Sequence, residues 1–146
     1  MNHYVRFGLT LAASLMLMWV LSQSMIRQLD HFHPTLGNFY ITLLMVSSMA
    51  VVMLAFMWPM FERKRLNLAL LGLFGVVFVA AFVLGRTGTL IGNEQFLHSM
   101  IPHHSRAILL CEEADLTDPE IIRLCDQIVQ AQLEEIAQME QILEQY

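Results

Sequence analysis

Three stretches run for membrane-spanning lengths without a charged residue: residues 7–26, 39–61 and 66–85. A helix needs ~20 apolar residues to cross a hydrocarbon core of ~30 Å, because each residue rises ~1.5 Å. Backbone groups in lipid must be satisfied internally, so each stretch is predicted to be a helix. Tyr4, Tyr40 and Trp58 fall near the ends of these stretches, where amphipathic aromatics settle. Composition agrees. Of 146 residues, 56% are hydrophobic and 14% charged, against about 25% charged in a soluble domain. That excludes a fully soluble chain and a disordered one. Two cysteines exclude a disulfide-dense scaffold.

Charge divides the chain. Residues 1–92 carry a net +4 and residues 93–146 a net −9. The basic link Glu62-Arg63-Lys64-Arg65 is expected on the cytoplasmic side, and with it the N-terminus. Residues 27–38 and everything after Arg86 then face the other side, the periplasm or exterior of a bacterial cell membrane. Ser22-Gln23-Ser24 resembles a signal-peptidase site, but the long apolar run and thin basic region favour a retained span. Cleavage would leave the tail on the same side. The acidic tail argues against nucleic acid as a partner.

The expected architecture is all-α: a three-span transmembrane region over residues 1–88, then an extracytoplasmic helical hairpin over residues 93–146. Its first helix is predicted from about Asn93 to Ala114. The second starts with Asp118 as N-cap and Pro119 at the first helical position. It carries a heptad seam of Ile122, Cys125, Val129, Gln132, Ile136, Met139 and Leu143. A short turn makes the helices antiparallel. It sets His104 opposite Gln132, Met100 opposite Ile136 and Cys111 opposite Cys125. Two such helices bury little by themselves, so a metal, a disulfide or a partner chain is expected to help. A dimer or higher homo-oligomer forming a four-helix bundle is one solution; docking on the membrane helices is another.

Chemistry concentrates in His98-Ser99-Met100-Ile101-Pro102-His103-His104. Met100, His103 and His104 share a helix face at i, i+3 and i+4. Pro102 is expected to kink the helix or mark its true start. Across the hairpin, Gln132, Glu135 and Met139 share a face. Thioether and imidazole donors together suit Cu(I); zinc, which favours thiolate, imidazole and carboxylate, is the weaker candidate. The bland alternative is solvated histidines over core methionines.

Phe96-Leu97-x-x-Met100-Ile101-Pro102-His103-His104-x-x-Ala107-Ile108, followed by Gln132-x-x-Glu135-Ile136-x-x-Met139, resembles a bacterial family of domains of unknown function, number 305. The resemblance covers residues 93–146. It implies half of a ferritin-like four-helix bundle outside the cytoplasm, with copper bound in some members. It implies Met100, His103, His104 and Met139 as ligands, with Gln132 and Glu135 as ligands or their hydrogen-bonding supports. Leu110 stands where the family often has methionine, which argues against a methionine-rich, multi-copper version.

Other features are weaker. Cys111 and Cys125 are candidates for a disulfide, for buried thiols or for metal thiolates. Facing helices lie 8–10 Å apart, so a disulfide requires a closer approach. Asp30-His31-x-His33-Pro34, with His98, is a candidate secondary metal site, against the commoner reading of a solvated turn. Met45, Met49, Met53 and Met57 step by four along the second span, a ladder that could pass Cu(I), but no Asp, Glu, His or Cys accompanies it inside the spans, and core packing is the better account. Gly72-x-x-Gly75 and Ala81-x-x-x-Gly85 offer close helix packing. No His-Glu-x-x-His, phosphate loop, Gly-x-Ser-x-Gly or Glu-x-x-His is present, so no enzyme is expected. The expected function is membrane-anchored copper sequestration, resistance or handover, with a metal-transport partner. The alternative is a metal-free helical assembly module.

Overall fold

Helix α1 spans His3–Leu21. It begins where the Asn2 side chain accepts from the Tyr4 N–H at 3.2 Å, satisfying a first-turn donor. Helix α2 spans Leu36–Phe56 and α3 spans Lys64–Thr87. A computed structural model describes residues 2–146; it is all-α, with no strand among the described residues. By length and composition α1, α2 and α3 are each able to cross a membrane. Their ends shift from the charge-free stretches for local reasons. α1 stops at Leu21, before the polar Ser22-Gln23-Ser24. α2 stops at Phe56, because Pro59 disfavours helix at the residue before it and supplies no N–H; Trp58–Met60 forms a 3-10 turn instead. α3 ends on Gly88, in the left-handed region at φ 61°. The Thr89 N–H bonds the Leu84 carbonyl and the Gly88 N–H the Gly85 carbonyl, closing the last turn.

The chain forms two compact units: Met1–Ser22 with Leu36–Leu90, and Gln23–Thr35 with Ile91–Tyr146. In the span unit, Phe7 and Leu11 pack with Val46, Ala50, Leu54 and Phe61. Met49, Met53 and Met57 pack against this core, as adaptable apolar side chains do. Asn67 is fully buried yet fully engaged. Its amide donates to the Phe61 carbonyl at 3.1 Å and its Oδ1 accepts from the Tyr4 hydroxyl at 2.9 Å. Buried Thr42 and Ser47 bond carbonyls of their own helix. Of the small-residue pairs, only the second sits at a contact. Ala81 is buried, and a Cβ on Gly85 would stand 3.3 Å from the Tyr40 Cβ. Gly72 and Gly75 face open space.

The second unit contains the hairpin. Helix α4 spans Asn93–Glu113 and runs through Pro102, so that proline is not a helix start. Helix α5 spans Pro119–Leu143, with the Asp118 carboxylate accepting from the Glu120 and Ile121 N–H groups at 2.7 and 3.4 Å. Leu97, Ile101, Ile108, Ile136 and Met139 form its core, flanked by Met100, Val129 and Leu143. A boundary drawn at residues 88–93 therefore omits part of this unit. The segment 23–35 belongs to it as well, supplying the extra burial that two helices lack.

Candidate metal centre

Each histidine on α4 is placed by its helical phase. Leu97, Ile101, Ser105 and Ile108 form the buried stripe, so His98 and His104 flank it, partly buried, and His103 lies on the exposed side. On α5, Ile136 and Met139 face inward while Glu135 and Glu140 lie at the rim.

Around His104 the expected donors converge in part. Its Nδ1 stands 2.9 Å from Glu135 Oε2. The contact is an ion-pair distance without hydrogen-bond alignment: His104 Nδ1 is buried and makes no hydrogen bond, and neither does Gln132 Oε1. Met100 and Met139 lie in the same packed core. The hairpin thus holds two thioethers, a ring nitrogen in contact with a carboxylate, and a buried amide oxygen without a hydrogen bond. His103 turns away from that core. Its ring is 5.8 Å from that of His104, and it lines an open groove with Met25, Arg106 and Leu110. Among the described residues, no three His, Cys, Asp or Glu side chains are already set around one point. This donor set fits a soft ion through its sulfurs rather than a cage of thiolates and carboxylates.

Cys111 and Cys125 form a disulfide, with Cα atoms 5.4 Å apart. That excludes free thiols or metal thiolates in the oxidised chain. Helices usually 8–10 Å apart come this close here because the pair stands next to the 114–118 turn, where α4 and α5 converge.

Within residues 30–34 the two histidines are not solvated, although Asp30, Phe32 and Pro34 are exposed. His31 is 6% exposed, and its Nδ1 lies 2.8 Å from Ser105 Oγ. The same hydroxyl oxygen accepts from the Arg27 N–H at 2.8 Å. His31 Nε2 faces Glu140 Oε1 at 3.7 Å. The His33 ring meets the His98 ring with centroids 4.5 Å apart. Burial, then the neighbouring His98 and His31, hold the His33 imidazole below its usual range, with Glu140 opposing. His98 Nε2 is 3.6 Å from Glu94, one turn away, and its Nδ1 is buried without a hydrogen bond. The Arg27 guanidinium bonds Glu112 at 2.9 Å, fixing the other end of the segment. Arg27, Ser105, Glu94 and Glu140 escaped sequence reasoning. Only Glu94, one helical turn before His98, stands in a local pattern; for the others there is none, since the 23–35 segment lies more than 60 residues from its contacts.

Comparison with known proteins bears on this unit first. Residues 91–143 match a family described as a domain of unknown function, DUF305. An uncharacterized protein of Acanthamoeba polyphaga mimivirus is 33% identical over 112 residues, 75% of this chain and 72% of that protein. That alignment is longer than the hairpin, so the likeness extends into the spans. No solved structure matches.

Proposed function

The chain belongs to the DUF305 family, and from that premise we propose a membrane-anchored, non-catalytic protein whose hairpin binds copper as Cu(I) for sequestration or handover. The observation that carries this reading is the pair of buried atoms without a hydrogen bond, His104 Nδ1 and Gln132 Oε1, on the same two helices whose packed core includes Met100 and Met139. A buried polar atom without a partner costs about 1–3 kcal/mol. Such atoms on a hairpin that also carries two thioethers make sense as ligands. Glu135 supplies the negative charge that offsets the cation.

The hairpin faces the periplasm or cell exterior in this reading. Support comes from the basic link at residues 63–65 and from the Cys111–Cys125 disulfide, which suits an oxidising compartment. Positive-inside topology also puts residues 27–35 and the hairpin on one side, in keeping with their membership of one compact unit. A homo-oligomer is a compatible second reading, favoured by Ile121, Ile122, Leu124 and Leu133, all exposed on α5. Pairing such faces would complete a four-helix bundle.

The test is Cu(I) competition against a colorimetric chelator on the full chain in detergent. Losing ligands is expected to exceed the 10–100-fold cost of losing an outer support, so His104→Ala with Met139→Ala should weaken Cu(I) binding by more than ~100-fold. Equal affinity in that double variant would overturn the site.

A further inference from the structure

We propose that His31, His33, His98 and Glu140 form a second metal site, for a borderline divalent ion of the Zn(II) class, which fastens the 23–35 segment to the hairpin. The donors differ in kind from the methionine cluster: three imidazoles and one carboxylate, with no sulfur. That set matches tetrahedral N/O coordination of zinc and disfavours the softer Cu(I).

One ring, His31, has one nitrogen held by a hydrogen bond and the other open, and His98 has a carboxylate near one nitrogen and the other buried without a hydrogen bond. Ser105 Oγ holds His31 Nδ1 at 2.8 Å and is itself fixed by the Arg27 N–H. When His31 donates from Nδ1, the Nε2 lone pair faces Glu140. Glu94 lies 3.6 Å from His98 Nε2, leaving the buried, unbonded Nδ1 as its donor atom. Metal-bound histidines are oriented in this way, by a hydroxyl, carboxylate or carbonyl on the second ring nitrogen.

The separations point the same way. Two donors each ~2.0–2.1 Å from a tetrahedral zinc stand about 3.3 Å apart. His31 Nε2 and Glu140 Oε1 are 3.7 Å apart, too long for a hydrogen bond and close to that span. The His33 and His98 rings touch, with centroids at 4.5 Å. Closure then needs side-chain rotation of His33 and His98 to bring their nitrogens to the ion. Glu140, Glu94 and the net −9 of residues 93–146 favour a cation there.

This site shares no ligand with the copper reading, and either can fail alone. The experiment uses full-length protein in detergent, stripped of metal, with Zn(II) titrated against a chromophoric chelator and Cu(I) measured in parallel. Wild type is expected to hold one Zn(II). His33→Ala with His98→Ala should weaken Zn(II) at least ~100-fold and leave Cu(I) unchanged, whereas His104→Ala with Met139→Ala should do the reverse. Glu140→Gln, the loss of one ligand, should weaken Zn(II) binding by ~100-fold or more. Zn(II) should also slow amide exchange across residues 23–35 in wild type and not in the double variant. Should the alanine variant unfold, His33→Gln with His98→Gln preserves bulk and takes its place. Failure of wild type to bind Zn(II), or Zn(II) affinity unchanged in the His33/His98 variant, overturns the proposal.

Discussion

The two units differ in how completely they satisfy buried polar groups. In the span unit every polar side chain placed in the core has a partner at hand: Asn67 with Tyr4 and Phe61, Thr42 and Ser47 with carbonyls of α2, and the Tyr40 hydroxyl with the Thr89 carbonyl at 2.9 Å. In the hairpin unit, His98 Nδ1, His104 Nδ1 and Gln132 Oε1 are buried and make no hydrogen bond. The physical cost of an unpaired group is the same kind in both. Lipid offers no substitute partner, so a span must complete its hydrogen bonds within the protein. The hairpin can leave lone pairs open where an ion supplies the missing interaction.

The largest structural effect should come from the cross-link at the hairpin turn. Replacing Cys111 and Cys125 by Ser opens a loop of sequence separation 14, which is expected to cost about 3 kcal/mol. Protease sensitivity of the 91–146 region should rise, while Trp fluorescence should not shift. Both tryptophans, Trp19 and Trp58, lie in the span unit. A shift in their emission would break the separation between units.

Asn67→Ala comes next. It leaves the Phe61 carbonyl and the Tyr4 hydroxyl short of a partner, a loss of about 1–3 kcal/mol. Thermal unfolding followed by Trp fluorescence in detergent should show the drop.

Gln132→Leu is the sharper companion. Removing a buried group that has no partner is expected to be neutral or to stabilise by up to about 1 kcal/mol, while Cu(I) affinity falls. A destabilised Gln132→Leu chain would mean that the amide is structural, and the contrast between the units would fail.

The smallest effects concern the glycines of α3. Gly72→Ala meets nothing within 4 Å and should stabilise by about 0.5–1 kcal/mol. Gly85→Ala presses a methyl toward the Tyr40 Cβ at 3.3 Å and should cancel that gain or reverse it. Equal melting shifts in the two variants would show that α2 and α3 are not closely apposed there.

Legibility followed the range of the interactions. The span helices were readable from runs of uncharged residues, and Asp118-Pro119 marked the start of α5, because capping is decided within four residues. The Cys111–Cys125 pairing was one of three readings. Their equal height on the hairpin was visible, but interhelix distance was not, since it depends on how α4 and α5 converge at the turn. Pro102 looked like a break and is tolerated inside α4. His103 was grouped with Met100 and His104 by spacing, yet one residue of helix is a rotation of ~100°, enough to carry it to the exposed side. His31 and His33 looked solvated because nothing nearby in sequence could bury them.

Sequence alone determined what each local segment must be: three apolar helices, an acidic hairpin, and a cluster of imidazole and thioether donors on it. Tertiary structure alone decided which donors meet. The return of residues 23–35 to α4 and α5 buries His31 against Ser105 and sets His33 beside His98. That contact is made by surfaces more than 60 residues apart. Periodicity and capping act over a few residues and carry no information about such a meeting, which depends on the fit of surfaces that exist only once the helices have formed.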